Sequence, residues 1–208
     1  MEPSLLAGIA IYNEGGYHAA HDAWEHHWLA LQSGTDDERF LHGLIQFTAA
    51  VYHARNGNWS GATGLAESGA AYLSDLPETY RGVNVGAVRR YLDALAADPE
   101  RIERHSPLAL TYEGDPIEST DLPFDATAVA ASVLAEERGY EDTVIDRACE
   151  YARADLDDGK TASPFVTFLF DFVRDPEHRG TVYSRLSAHV ERRSNRVDDV
   201  SGFFEKRE

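Results

Sequence analysis

Lysine, cysteine and long apolar runs are scarce in this chain of 208 residues, and each scarcity narrows its possible functions. The single cysteine, Cys149, excludes an intrachain disulfide framework and favours a reducing cytoplasm. No apolar run approaches the ~20 residues that cross a bilayer, and the N-terminus lacks the basic and apolar regions of a secretory signal. We therefore expect a soluble cytoplasmic protein. Gly-rich phosphate loops, nucleophile elbows and CxxC pairs are also missing, which removes most common enzyme classes.

Acidic residues strongly outnumber basic ones in the sequence. Formal net charge is −17, and the only lysines are Lys160 and Lys206. The acidic residues are spread along the chain rather than gathered in a tail. A dispersed acidic surface with little lysine is typical of proteins from extreme halophiles, here of a haloarchaeal type, and an ordinary acidic cytosolic protein is the alternative. The same charge argues against nucleic-acid binding, because no basic stripe exists to displace counterions.

Helical periodicity dominates the sequence and strand-type alternation is nearly absent. It predicts an all-α fold, a multihelical bundle of about four core helices with a C-terminal helical extension. We expect the first helix from about Tyr17 to Leu31. The second follows Thr35, which with Glu38 forms a capping box. Ser60 can open the third helix and Asn84 can cap the fourth.

A segment of different composition, without helical periodicity, separates two helical regions. Residues 105–124 contain three prolines and no helical stripe, so they predict a linker or a wrapping segment. The predicted organisation is a helical bundle domain over 1–105, the linker or wrapping segment over 106–124, and a helical extension over 125–208.

A polar stripe runs along the first predicted helix. At 100° per residue, His18, His21, Glu25 and Trp28 fall within an arc of roughly 80°. The second helix carries a narrower polar stripe of its own, which includes Gln46 and His53. A short loop makes these helices antiparallel neighbours, so the two stripes could meet in one cluster.

Several motifs in this region resemble a known family. They are YNEGGYHAAHDAWEHHW, then FLHGLIQFTAAVYHARNGNWSGA, then YRGVNV. Over roughly residues 10–95 they are similar to the domain of unknown function 309 family, with its AHE-x-x-E-x-x-W, GLIQ and GN-x-x-GA patterns. The sequence departs from the pattern at Asp22, where the family prefers Glu, and at His42, commonly Gln. The resemblance implies an all-α bundle and no established activity. It singles out the following residues: His21, Glu25, Trp28, Gln46, His53, Asn58 and Gly61.

Three interpretations of these polar residues stay open. Imidazoles and a carboxylate suit a divalent metal ion such as zinc, manganese or nickel, although the H-E-x-x-H spacing of zinc hydrolases is absent. They also suit a ligand pocket without metal, or a buried hydrogen-bond network that fixes two helices in register. The candidate metal ligands are His18, His21, Glu25 and His53. The candidate ligand-binding residues are His21, Glu25, Trp28, Gln46, His53 and Asn58.

Three functions correspond to these interpretations. The leading one is a non-catalytic helical protein whose polar cluster binds a small molecule or a protein partner. The second is a metal-dependent hydrolase that uses the same residues. The third is a structural dimer whose cluster only locks the helices together. The candidate partners are a second copy of the chain in a homo-oligomer, another protein, or a small molecule. No cofactor is established by the sequence, and we expect neither nucleic acid nor membrane as a partner.

Overall fold

The computed structural model describes the backbone of residues 1–204 and the side chains of residues 1–196. Helices account for most of this part of the chain, so the predicted all-α bundle is confirmed. The α-helices are α1 (Glu2–Asn13), α2 (Tyr17–Trp28), α3 (Asp36–Arg55), α4 (Trp59–Leu73), α5 (Val85–Ala97), α6 (Phe124–Arg138), α7 (Asp142–Asp157), α8 (Pro164–Arg174) and α9 (Arg179–Phe204). Two short 3₁₀ helices cover Pro99–Glu103 and Ser119–Asp121, and two short strands are β1 (Thr111–Tyr112) and β2 (Asp115–Pro116).

The chain divides into two compact units, one of residues Met1–Ala130 and one that begins at Ala131. The first unit holds α1 to α5 and the segment 106–124, and the second holds α7 to α9. Helix α6 crosses the boundary. No helix in the described part of the chain combines the length and the apolar character needed to cross a membrane.

Helix α1 is an addition to the helices predicted from the sequence, which began at Tyr17. All eight residues from Leu5 to Tyr12 are buried. A helix that is covered on every side has no polar face, so the alternation of apolar and polar residues that signals an amphipathic helix is missing. The segment therefore gives no helical signal in the sequence, although most of its residues are buried.

Each of the helices α1 to α5 packs against the next one in the chain. The connection between α4 and α5 is longer than the other connections. The contact between α3 and α4 is especially close because both helices place glycine there. A Cβ on Gly43 would lie 2.5 Å from the Leu73 side chain, and one on Gly69 would lie 3.2 Å from the Cβ of Gln46. Without a side chain at these two glycines, the backbones of α3 and α4 can approach closely.

The segment 106–124 lies along the first unit and is held there by asparagine side chains. Asn13 donates to the carbonyl oxygens of Leu110 and Ile117, both at 2.9 Å, and accepts from the Leu110 amide at 2.9 Å. Asn84 donates to Ala109 and accepts from the Thr111 amide. These bonds satisfy backbone groups that regular secondary structure would otherwise have to pair.

The second unit has its own apolar core among α7, α8 and α9, with Leu169, Phe172 and Leu186 fully buried. Cys149 is buried on α7, and burial raises the pKa of its thiol to about 11. A thiol that stays protonated at neutral pH is a poor nucleophile, so Cys149 has a packing role.

Candidate functional site

Helix α2 presents its polar face beside α3, and the two helices run antiparallel. Trp28 at the end of α2 contacts residues near the start of α3, while the ring of His18 lies 6.3 Å from that of Tyr52 near the end of α3. The opposite face of α2 is apolar and buried. It consists of Ala19, Ala20, Ala23 and Trp24. Burial of this face turns the polar stripe of α2 toward the surface.

The polar stripe brings together His21, Asp22 and Glu25. One potential metal-ligating atom from each side chain lies within 4.8 Å of the other two. His21 Nδ1 lies 3.0 Å from Asp22 Oδ1, and both side chains are about 30% exposed (29% and 31%). We call these three residues the α2 triad. The structure thus places His21 and Glu25 together, as the helical spacing indicated.

His18 lies at the edge of the α2 triad. Its Nδ1 is 3.1 Å from Asp22 Oδ2, so the Asp22 carboxylate lies between two imidazoles. The His18 side chain is 64% exposed, and its ring centre is 6.2 Å from that of His21. His18 therefore contacts the triad through Asp22 rather than as part of it.

Within the described part of the chain, histidines are the only basic side chains that contact the carboxylates of the α2 triad. Among the described side chains, no lysine or arginine lies within 4.0 Å of Asp22 or Glu25, and Glu25 forms no hydrogen bond. Elsewhere in the first unit, acidic residues pair with arginine, as Asp37 does with Arg81 at 2.6 Å. The two half-buried carboxylates of the triad therefore lie near each other without a lysine or arginine beside them.

Trp28, also on the polar stripe of α2, belongs to a different group of contacts. Its indole N–H donates to Glu38 Oε1 at 3.1 Å, and its ring lies 4.5 Å from that of His42. The imidazole of His42 stacks on Tyr72 at 3.8 Å, and Gln46 Nε2 lies 3.4 Å from His42 Nε2. This group, which we call the aromatic network, joins α2, α3 and α4.

Glu38 is fixed as an anion in the aromatic network. The hydrogen bond from Trp28 lowers the pKa of the Glu38 carboxyl, burial opposes it, and the amide of Gly34 lowers it further. His42 Nδ1 is buried without a hydrogen bond and lies 3.6 Å from Glu38 Oε1. These contacts link the end of α2 to the start of α3.

His53 and Asn58 form a third group, at the turn between α3 and α4. Asn58 Nδ2 lies 2.9 Å from His53 Nδ1, and Asn58 Oδ1 accepts from the amide of Gly61 at 3.1 Å. A Cβ on Gly61 would lie 2.6 Å from the Asn58 amide. The His53, Asn58 and Gly61 pattern is thus explained by capping of α4.

The candidates from sequence therefore fall into three groups of contacts rather than one. His18, His21 and Glu25 meet around Asp22, Trp28 and Gln46 lie in the aromatic network, and His53 faces Asn58. Sequence reasoning gave little weight to Asp22, because its side chain is shorter than that of the glutamate expected there. It also passed over Tyr72, and it assigned the side chain of Glu38 only to a capping box. The position of Asp22 directly after His21 in the same helix was the sequence feature that could have identified it as a site residue.

Comparison with known proteins supports the resemblance drawn from the motifs, over part of its range. Residues 5–65 match the sequence model of the family described as Domain of unknown function (DUF309). An uncharacterized protein from Aquifex aeolicus (strain VF5) is 25% identical over 89 residues, which cover 43% of this chain and 26% of that protein. The match thus spans about a quarter of the length of that relative. Neither description names an activity, so the function has to be argued from geometry.

Proposed function

We propose that the first unit is a non-catalytic binding module, and that the α2 triad takes a divalent first-row cation as its ligand. One observation carries the proposal. His21, Asp22 and Glu25 bring three ligand atoms within 4.8 Å of one another, and no described lysine or arginine neutralises the two carboxylates. Of the three groups of contacts, the triad is also the one whose geometry is not accounted for by helix packing or capping.

The chemistry of the donors selects the kind of ion. One imidazole with two carboxylates suits zinc, manganese or nickel better than it suits calcium, which prefers oxygen ligands alone. Two ligands of one zinc ion at 2.0–2.2 Å lie at most about 4.4 Å apart, so small side-chain rotations close the triad around an ion. The two carboxylates of Asp22 and Glu25 would offset the charge of the divalent ion.

The triad leaves room for a further ligand on the ion. All three donors come from one turn of a single helix, so they occupy one side of the coordination sphere. The other side faces solvent, where a small molecule or a side chain of a protein partner can complete it. This supports binding as the function, with the metal as the contact point.

A metal-dependent hydrolase is the second candidate function, and the position of His18 beside the triad favours it. A three-ligand site with an open position can hold a metal-bound water, and His18 is poised 3.1 Å from Asp22 at the solvent side. In that case His18 would accept the proton of the water. The proposal of a binding module requires that no metal-dependent hydrolysis occurs.

Calorimetric titration of tag-free protein, stripped with chelator, tests the metal site. We expect one Zn²⁺ or Mn²⁺ per chain, and at least about tenfold weaker binding in both His21→Ala and Glu25→Gln, because each change removes a ligand. His26→Ala is the matched control, since His26 is exposed on the same helix and outside the triad. Absence of saturable binding, or an equal loss in His26→Ala, contradicts the proposal. Metal-dependent ester or phosphodiester hydrolysis that His18→Ala abolishes would favour the hydrolase.

The acidic composition supports a second proposal, that the protein is adapted to a cytoplasm of high salt. The net charge of −17 is spread over the chain, and its self-repulsion weakens as the screening length falls from about 10 Å at 0.1 M salt to about 3 Å at 1 M.

We therefore expect the free energy of unfolding to rise steadily between 0.1 and 2 M KCl at pH 7. Urea melts followed by tryptophan fluorescence measure this for the first unit, because all three tryptophans, Trp24, Trp28 and Trp59, lie there. Sucrose at matched osmolality controls for effects other than charge. Stability that stays constant or falls with KCl contradicts the adaptation.

A further inference from the structure

A cavity of about 520 Å³ opens in the second unit and differs in charge from the chain as a whole. Its polar lining consists of Lys160, Arg193, Arg196 and Asp155. It thus collects three of the nineteen basic residues of an otherwise acidic protein. We call it the basic cavity. Its volume is in the range of small-molecule sites.

Asp155 anchors the basic side chains of the cavity. Its carboxylate, 5% exposed, accepts from Lys160 Nζ at 2.6 Å, from Ser163 Oγ at 2.8 Å and from Arg193 Nη1 at 2.7 Å. The Arg193 guanidinium also stacks over the rings of Tyr151 and Phe165, at 4.5 and 5.2 Å. These contacts hold the two cations in place before any ligand arrives, which lowers the entropic cost of binding.

The basic side chains keep unused hydrogen-bond donors. Arg193 makes both of its polar contacts through Nη1, so its Nε and Nη2 groups have no partner among the described residues. Arg196 forms no ion pair with the described residues, and its Nε alone donates, to the carbonyl of Arg192 at 3.3 Å. Lys160 Nζ also lies 3.3 Å from Asp158 Oδ2, and the Asp158 side chain is exposed.

The charges of the lining residues alone leave an excess of two positive charges, while the exposed Asp158 beside Lys160 lies outside the lining. Lys160, Arg193 and Arg196 contribute three, and the buried carboxylate of Asp155 cancels one. A phosphate monoester carries close to two negative charges at neutral pH and matches guanidinium donors in geometry. The remaining wall is apolar and contains Ala162, Pro164 and Phe165.

We propose that the basic cavity binds a small phosphorylated organic molecule. Its phosphate contacts Lys160, Arg193 and Arg196, and its organic part packs against the apolar wall at Phe165. Pro164, the first residue of α8, belongs to the same wall. The inference concerns the second unit and is independent of the metal site on α2.

Phenyl phosphate serves as the probe, because it joins a dianionic phosphate to an apolar ring. The full chain is titrated at fixed ionic strength and followed by calorimetry or by the NMR signals of residues in the second unit. We expect saturable binding. Inorganic phosphate should bind more weakly because it lacks the ring, and benzoate more weakly because it carries one charge. Equal affinity for all three probes would show that the cavity attracts anions without selectivity, and it would overturn the proposal.

Arg196→Gln is the test variant, because Arg196 is exposed and forms no ion pair with any side chain of residues 1–196. We expect about tenfold weaker binding of phenyl phosphate, the effect of losing one charge-assisted hydrogen bond. Arg192→Gln, one turn earlier on α9 and outside the lining, is the matched control and should change binding less than twofold. No binding by the wild type at millimolar probe, or an equal loss in both variants, overturns the proposal.

Discussion

Replacing Gly8 with alanine is expected to destabilise the first unit by about 3 kcal/mol, because the added methyl group overlaps a tryptophan that cannot move. A Cβ at Gly8 would lie 2.1 Å from Nε1 of Trp24. Trp24 is fully buried, and its indole N–H donates to the Leu5 carbonyl at 3.3 Å. The methyl group would push the indole away from this carbonyl as well as overpack the α1–α2 contact. Urea unfolding followed by tryptophan fluorescence measures the change.

Gly64→Ala is the matched control for this prediction, since it makes the same chemical change in another helix of the same unit. Gly64 is exposed within α4, and its Cβ would meet no atom within 4 Å. Alanine there should stabilise the unit by about 0.5–1 kcal/mol through helix propensity. Opposite signs at the two positions are expected. Tolerance of alanine at Gly8 would show that α1 does not pack on Trp24 as described.

Asp155→Asn is expected to destabilise the second unit by about 3 kcal/mol at pH 7. The buried carboxylate satisfies Lys160, Ser163 and Arg193 together. Its loss leaves the half-buried Arg193 charge without its anion, which is costly in a partly desolvated site. Because the second unit has no tryptophan, hydrogen exchange of peptides from α7 and α8 is the measurement.

The cost of Asp155→Asn should shrink in acid. Burial alone would raise the pKa of Asp155, but hydrogen bonds from Lys160, Ser163 and Arg193 outweigh it and lower the pKa to about 2. A carboxyl with a depressed pKa in the folded state adds stability above its unfolded pKa of about 3.9. That stability is lost as the pH falls toward 2. The difference between wild type and variant should therefore fall by about 2 kcal/mol between pH 5 and pH 2.

Asp158→Asn controls for the general loss of negative charge. Asp158 is 65% exposed and lies 3.3 Å from the same lysine. Because exposed ion pairs contribute little, its replacement should change stability by less than about 0.5 kcal/mol, with little dependence on pH. A similar effect of the two substitutions would contradict the role of Asp155 as an anchor.

Helix starts show how far local sequence determined the fold. Thr35 caps α3 as predicted, since its Oγ1 accepts from the Glu38 amide at 3.3 Å. The Glu38 carboxylate, however, accepts from Trp28 and Gly34 instead of closing the capping box. Helix α4 starts at Trp59 with Asn58 as its cap, so the predicted start at Ser60 was slightly late. Tertiary partners decided these details, and a local pattern does not contain them.

The candidate site shows the same limit at the level of helix faces. The spacing of His21 and Glu25 within one helix was enough to place them together, because a single helix fixes its own geometry. Whether the polar face of α3 meets α2 or α4 depends on the rotation of α3 between two neighbours. In the structure, Gln46 faces Gly69 of α4, and His53 faces the cap of α4. The two polar stripes therefore do not merge into one cluster.

Anomalous diffraction from crystals of tag-free, zinc-loaded protein, collected on both sides of the zinc absorption edge, tests the central claim most directly. We predict a zinc peak about 2.0–2.2 Å from a nitrogen of His21 and from carboxylate oxygens of Asp22 and Glu25, with water or an added ligand on the open side. At saturating zinc, an α2 triad without an anomalous peak, or zinc bound only at other acidic positions, would contradict the metal-binding function proposed for this protein.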